Sequence, residues 1–366
     1  MSFDLHGLIK KFSIYGDLTD IKDYGSGHIN DTYCAVFEQA GAQVRYILQR
    51  INENVFPDPK SLMENVIRVT NHIRGKLEEA VATDISRKVL TLVPTHNGDH
   101  YFVDGDGNYW RVYMTIERAR THDVLKTMDQ AFEAARAFGE YQCQLSDLPA
   151  PALTETIPDF HNGPKRYQTF LDVLKKDPCN RAADARAEID FLNEHAWIFD
   201  VLPKLVEDGK IPVRTTHNDT KINNVMLDNA TGKGICVIDL DTTMPGLTLY
   251  DFGDIVRTTA SPTEEDEMDL SKVGAQLPRL EAVAKGYLSS ARGFLNSYEK
   301  DNLVLSGEMI TLMIGTRFLT DHLDGDNYFK IHREGHNLDR CRTQFKLVQS
   351  ILAQEEQIKS MVSKFE

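Results

Sequence analysis

Between His217 and Asp241 the sequence carries oxygen-bearing side chains at a spacing suited to phosphoryl transfer: Asp219, then Asn224 five residues on, then Asp239 and Asp241. NVMLD and ICVID read as two strands joined by residues 229–234, a run of turn formers, and so predict a β-hairpin. If Asp228 pairs with Ile235, antiparallel register sets Asn224 opposite Asp239, with Cβ atoms about 4.5–5.5 Å apart. An amide oxygen and a carboxylate that close can share one hard cation. Mg²⁺ in particular takes few protein oxygens and fills its octahedron with phosphates and water. Asp219, in the connection entering the first strand, is placed to accept the proton of an attacking hydroxyl. Such a site works by holding the acceptor oxygen in line with phosphorus while charge is neutralised, so one proton acceptor and two metal-binding oxygens suffice. Asp239-Leu240-Asp241 also fits the D-x-D of nucleotide-sugar transferases, but the parallel α/β pattern those enzymes need is absent. Asp251, in Tyr250-Asp251-Phe252-Gly253-Asp254, falls at a predicted helix start and is expected to cap it.

Those side chains need a scaffold. Residues 18–50 hold short β-rich runs broken by glycine and predict three antiparallel strands. From Lys60 to Leu77, Leu62, Val66, Val69, Ile73 and Leu77 recur at helical spacing behind Pro57 and Pro59, with Ser61 near the start. Strand candidates follow at VLTLVPT, DHYFVDG and YWRVYMTI, with turn clusters at 96–99 and 104–107 between them. The expectation is a mostly antiparallel five-stranded sheet with one main helix. From residue 127 onward the periodicity is helical and ends in a helix predicted over 338–364, so the hairpin is an island of strand inside a helical region. The fold class read from this pattern is α+β in two parts.

The 366 residues include 41 Lys+Arg and 55 Asp+Glu, a net charge of −14, which argues against a nucleic-acid groove. Five cysteines, odd in number and without a C-x-x-C pair, indicate neither a disulfide framework nor a zinc ribbon and fit a reducing cytoplasm. The N-terminal residues lack the apolar core of a signal peptide, and no stretch of 18 apolar residues is present. The expectation is a cytoplasmic protein, a monomer or weak homo-oligomer, with no membrane partner.

The signature H-x-D-x-x-x-x-N followed by I-D, met by His217, Asp219, Asn224, Ile238 and Asp239, resembles that of the aminoglycoside phosphotransferase and choline kinase superfamily. Over nearly its whole length the chain is more closely similar to the N-acetylhexosamine 1-kinases. The shared motifs are YGSGHINDTY (24–33), YILQRIN (46–52), WRVYMTIE (110–117), THNDTKINNVMLD (216–228), IDLDTTMPG (238–246), DFGD (251–254) and RFLTDHLDGDNYF (317–329). The resemblance implies a bilobal protein-kinase-like fold: a nucleotide-binding lobe over 1–114, a hinge over 115–120 and a mainly helical catalytic and sugar-binding lobe over 121–366. It implies transfer of the ATP γ-phosphate, with Mg²⁺, to the C1 hydroxyl of GlcNAc or GalNAc.

By the same resemblance Asp219 is the base, Asn224 and Asp239 bind Mg²⁺, and His28, Asp219, Asp239, Arg317 and Tyr328 line the sugar pocket. Gly25, Ser26 and Gly27 fall where a kinase's glycine-rich loop covers phosphates, and Thr115, Ile116 and Glu117 fall at the hinge whose backbone would read adenine. One departure is Gln49, which stands where kinases carry a strand lysine and would give a phosphate a neutral hydrogen bond. Glu64 on the following helix would then lack its lysine. Two other readings are a kinase of the choline or aminoglycoside type and a nucleotide-binding pseudokinase, although a binding module has no need of Asp219, Asn224 and Asp239 together.

Overall fold

A computed structural model describes residues 3–25 and 29–365. A short helix α1 (Leu5–Ile9) precedes β1 (Asp17–Asp23), β2 (Asp31–Gln39) and β3 (Ala42–Arg50). Ala40 and Gly41, both at positive φ, close the β2–β3 hairpin. Helix α2 (Pro59–Glu79) follows, then β4 (Phe102–Val103) and β5 (Tyr109–Met114), and the sheet order is β1-β2-β3-β5-β4 with every neighbour antiparallel. The predicted five-stranded sheet and main helix are thus present. Asp58 caps α2 by accepting the Ser61 N–H at 3.1 Å, which puts Ser61 inside the first turn. VLTLVPT does not form a strand. It meets β5 only through an isolated bridge between Leu92 and Tyr113, since Pro94 has no N–H to extend a ladder.

Period-2 alternation divides the sheet into two faces. Phe37, Tyr46, Leu48, Trp110 and Val112 pack against Leu8, Ile9 and Phe12 on one side. On the other side, Ile47 and Tyr113 join Leu62, Met63, Val66 and Val69 of α2 in a core that continues into the helical region. Arg111 and Gln49 occupy this second face as a directly opposed cross-strand pair.

The rest of the chain runs through β6 (Ala119–Arg120), α3 (Met128–Leu145), α4 (Gly163–Lys176), α5 (Arg186–His195), α6 (Ile198–Glu207), β7 (Arg214–Thr216), β8 (Val225–Asp228), β9 (Gly234–Val237) and β10 (Met244–Gly246). It ends with α7 (Thr248–Thr259), α8 (Leu277–Ala291), α9 (Ser297–Asp301), α10 (Leu303–Asp324), α11 (His336–Leu352) and α12 (Glu355–Val362). The helix predicted over 338–364 is two helices, because Gln354 leaves helical geometry and its side chain donates to the carbonyls of Ala275 and Ser350. The apolar helix α10 is the core of this region and packs against α4, α7 and α11.

Helix α10 also buries a carboxyl. Glu308 is 1% exposed, its Oε1 has no hydrogen-bond partner, and burial, aided by Glu355 against Lys359, pushes its pKa up to about 7. The folded chain therefore holds an extra proton between the ordinary value of 4.5 and about 7, and stability falls as pH rises through that window. Glu308→Gln is expected to melt near the wild type at about pH 5 and several degrees above it at about pH 8. Equal melting differences at both pH values would refute this.

Candidate active site

The loop 217–224 connects β7 to β8, and helix α7 holds its backbone. The Asp251 carboxylate accepts the N–H groups of His217 (2.9 Å) and Asn218 (2.7 Å) together with the Gln142 amide (2.6 Å), and Asp254 accepts the Thr220 N–H (2.9 Å). Spaced three apart, the two aspartates share one helix face. Asp251 therefore does not cap its own helix as expected: α7 already begins at Thr248, and the carboxylate is spent on the loop. Burial pushes the Asp251 carboxyl up against these bonds. Asn218 is buried at φ +65°, its Oδ1 accepting from Thr216 Oγ1 (3.0 Å) and its Nδ2 donating to the Thr242 carbonyl (3.0 Å). Strand β10 lies so close that a Cβ on Gly246 would stand 2.3 Å from Thr216 Oγ1.

Asp219 leaves this rigid loop partly exposed. Its Oδ2 takes the Lys221 ammonium at 3.1 Å and the Asn224 Nδ2 at 3.1 Å, and the same Nδ2 donates to the Asp219 carbonyl at 2.8 Å. Both amide contacts use nitrogen, so among the described residues none occupies Asn224 Oδ1, which can meet a cation. Burial pushes the Asp219 carboxyl up, but Lys221, His217 and Arg257 together outweigh it and hold the group below the usual carboxylate range. His217 accepts the Asp219 N–H at Nδ1 (3.3 Å), and its Nε2 donates to the Ile238 carbonyl (2.9 Å), tying the loop to the end of β9.

The hairpin register differs from prediction by one residue. Val225 pairs with Val237 and Met226 with Cys236, with a further shift at Leu227. The cause is Asp228, whose carboxylate accepts the N–H groups of Ala230 and Thr231 and whose own N–H meets the Lys233 carbonyl, closing the loop short of Ile235. Asn224 thus faces Ile238, and Asp239 departs from the strand at φ +60°, ψ +60°. Asp239 remains solvent-accessible yet hemmed in: desolvation, then the charges of Asp241 and Asp219, push its carboxyl up to about 6. Crowded carboxylates beside a free amide oxygen form a hard-oxygen set that suits Mg²⁺. Among the described residues no three His, Cys, Asp or Glu side chains gather as a cage, and Mg²⁺ needs none.

Asp241 behaves differently. It is 1% exposed and takes a bidentate contact from Arg111 of β5, Nη1 to Oδ1 at 2.5 Å and Nη2 to Oδ2 at 2.8 Å, with Asn30 Nδ2 adding a third bond at 2.7 Å. Of the two carboxylates of the D-x-D, Asp239 is exposed and Asp241 is not.

Residues 20–287 match the phosphotransferase enzyme family typified by aminoglycoside phosphotransferases. The chain belongs to that family. The kinase-like fold agrees: an aminoglycoside phosphotransferase from Alicyclobacillus acidocaldarius superposes with a TM-score of 0.60 at 12% identity, covering 100% of this chain and 96% of that one. A choline kinase from Cryptosporidium parvum gives 0.56 at 14% identity, covering 94% and 93%. A spectinomycin phosphotransferase in complex with ADP and spectinomycin gives 0.54 at 14%, covering 93% and 94%.

In this phosphotransferase the described residues expected to bind nucleotide lie in or directly after strands of the five-stranded sheet. Gln49 donates to Thr32 Oγ1 (3.0 Å) and accepts from Arg111 (3.0 and 3.1 Å), so both ends of its amide are engaged within the sheet. Thr115 N–H meets the Arg45 carbonyl (3.2 Å), Ile116 is core, and Glu117 pairs with the Arg45 guanidinium (2.7 Å). Glu64 is exposed, and its neighbour Asn65 instead reaches the Thr243 carbonyl (3.1 Å). Gly25 sits at φ +85° after β1; Ser26, Gly27 and His28 lie outside the described residues.

Arg317 and Tyr328 come together, Nη2 to Oη at 3.2 Å, with the guanidinium flanked by the rings of Phe160, Tyr328 and Phe329. Burial and the nearby Arg166 push Arg317 down to about 10. His161, adjacent to Phe160, donates Nε2–H to the Asn218 carbonyl at 2.8 Å, so one wall links this pair to the loop of Asp219. Burial pushes the His161 ring down to about 4, leaving it neutral.

Sequence reading overlooked Lys221, Arg111 and the loop-holding role of Asp254. Lys221 carried a signal, a cation two residues after Asp219. Arg111 carried another, a charge in the middle of YWRVYM, which requires a partner once buried.

Proposed function

We propose that the chain is an ATP- and Mg²⁺-dependent kinase that phosphorylates the C1 hydroxyl of an N-acetylhexosamine. The observation that carries the phosphoryl-transfer reading is the grip of Lys221 and Asn224 on Asp219, each at 3.1 Å, beside an accessible Asp239. Asp219, ionised at neutral pH, orients the acceptor hydroxyl and takes its proton as the oxygen–phosphorus bond forms. A hemiacetal hydroxyl is more acidic than an ordinary alcohol, so a carboxylate is base enough. Asn224 Oδ1 and Asp239 would hold Mg²⁺, which when bound neutralises charge on the transferring phosphates. Nucleotide is assigned to the cleft between the 1–114 and 121–366 lobes, against the 115–120 hinge.

The acceptor assignment draws on the motif resemblance and on charge. Among the described residues Arg317 has no carboxylate partner, and Arg166 beside it has a buried Nε without a partner. A cationic acceptor of the choline or aminoglycoside type would be repelled there, whereas sugar hydroxyls and an acetamido carbonyl accept from guanidinium donors. Tyr328, 64% exposed, offers a ring face to a sugar.

The test is ADP release with ATP, Mg²⁺ and a panel of hexoses, N-acetylhexosamines, choline and aminoglycosides, with the phosphorylated position read by NMR. N-acetylhexosamine 1-phosphate is the expected product; absence of turnover on every hexosamine sinks the reading. Lys221→Met is expected to lower kcat about 100-fold by removing a fixed cation from the reacting phosphoryl group. An unchanged kcat would confine Lys221 to a surface ion pair.

A further inference from the structure

We propose that the Arg111–Asp241 pair positions the catalytic turn: it withholds Asp241 from the metal and locks the residue-239 turn to the five-stranded sheet. The proposal rests on the reading that Asp219 and Asp239 carry the chemistry.

The two carboxylates of a D-x-D are close enough to compete for one cation, so a site that uses a single one must occupy the other. Here both Asp241 oxygens are occupied, Oδ1 by Arg111 Nη1 and Oδ2 by Arg111 Nη2 and Asn30 Nδ2. Arg111 is itself held: its Nε and Nη2 donate to Gln49 Oε1, and Gln49 Nε2 donates to Thr32 Oγ1. A continuous set of side-chain bonds therefore runs from β2 through β3 and β5 to the turn two residues beyond Asp239. Asn30 adds a branch, its Oδ1 accepting the Asn52 N–H at 3.0 Å. Both charged side chains are 2% exposed. A buried ion pair of this kind gives a fold little net stability, since apolar residues of similar volume usually serve as well or better. Its geometric specificity, a planar fork on a carboxylate, is what apolar packing cannot replace. With Gln49 at the strand position, Arg111 of β5 ties the sheet to this turn.

Two readouts test this on the full-length chain. First, Mn²⁺ binding is followed by its EPR signal in the absence of nucleotide. Arg111→Met, which frees a second carboxylate beside Asp239, is expected to bind Mn²⁺ at least about fivefold more tightly than the wild type, and Arg111→Met/Asp241→Leu to return to wild-type affinity. Equal affinity in all three overturns the withholding role. Second, the double variant is expected to melt at or above the wild-type temperature while kcat falls about 100-fold, the cost of misplacing a reacting group by about 1 Å. A kcat and KM within threefold of wild type overturn the positioning role, and so does a loss of more than about 10 °C in Tm, which would make the pair structural. Should the double variant not fold, Asn30→Ala, which removes one bond to Asp241, is expected to lower kcat severalfold at unchanged Tm; an unchanged kcat has the same overturning force. Activity retained by Asp219→Asn would instead sink the underlying reading, and the Mn²⁺ measurement stands apart from turnover altogether.

Discussion

Replacing Asp219 by Asn is expected to lower kcat by 10²- to 10⁴-fold, about 3–5.5 kcal/mol of transition-state stabilisation, while nucleotide affinity stays near the wild-type value. The substitution is nearly isosteric, so the loop survives it: the backbone of residues 217–220 is held by Asp251 and Asp254, not by the Asp219 side chain. What is lost is a proton acceptor, because an amide oxygen has negligible basicity, and with it the negative partner of Lys221. The measurement is ADP release with saturating acceptor, paired with ADP binding by calorimetry. A kcat within tenfold of wild type would remove Asp219 from the role of base, and a matching loss of ADP affinity would show a disturbed cleft instead.

The second large effect is expected at Asp239→Asn. The amide keeps an oxygen at the site but removes its charge, and Asp241 cannot take over while Arg111 and Asn30 occupy it. The Mg²⁺ concentration for half-maximal rate is expected to rise at least tenfold and kcat to fall about 100-fold, in line with the cost of losing metal affinity and orientation together. Titrating Mg²⁺ at fixed ATP checks it. A wild-type Mg²⁺ dependence would take Asp239 out of the metal set. ADP binding without Mg²⁺ should be unaffected, which separates loss of metal from loss of fold.

Elements that depend on neighbours in sequence were legible. The β2–β3 hairpin follows from Ala40-Gly41 between alternating strands, α2 from its apolar spacing, and the Asp219–Asn224 pair from its five-residue separation within one loop. The failures lie where another element intervenes. Asp251 lies within four residues of the start of α7 and reads as a cap, but it bonds to backbone 33 and 34 residues earlier in the chain. The hairpin register slipped because Asp228 closed its own turn first, a competition between side-chain and ladder bonds that alternation does not reveal. The terminal helix broke where Gln354 found the Ala275 carbonyl.

By itself the sequence determined which groups are on offer: a carboxylate, an amide and a second carboxylate in order, in a chain whose periodicity demands a sheet followed by helices. Only the tertiary structure decided how the D-x-D is shared, leaving Asp239 open and closing Asp241 on Arg111, 130 residues away. Local spacing fixes which side chains stand on one strand or one turn of helix. Which of two equivalent carboxylates is buried depends on what the opposing sheet presents, and a charge taken out of water must be met there by its counter-charge.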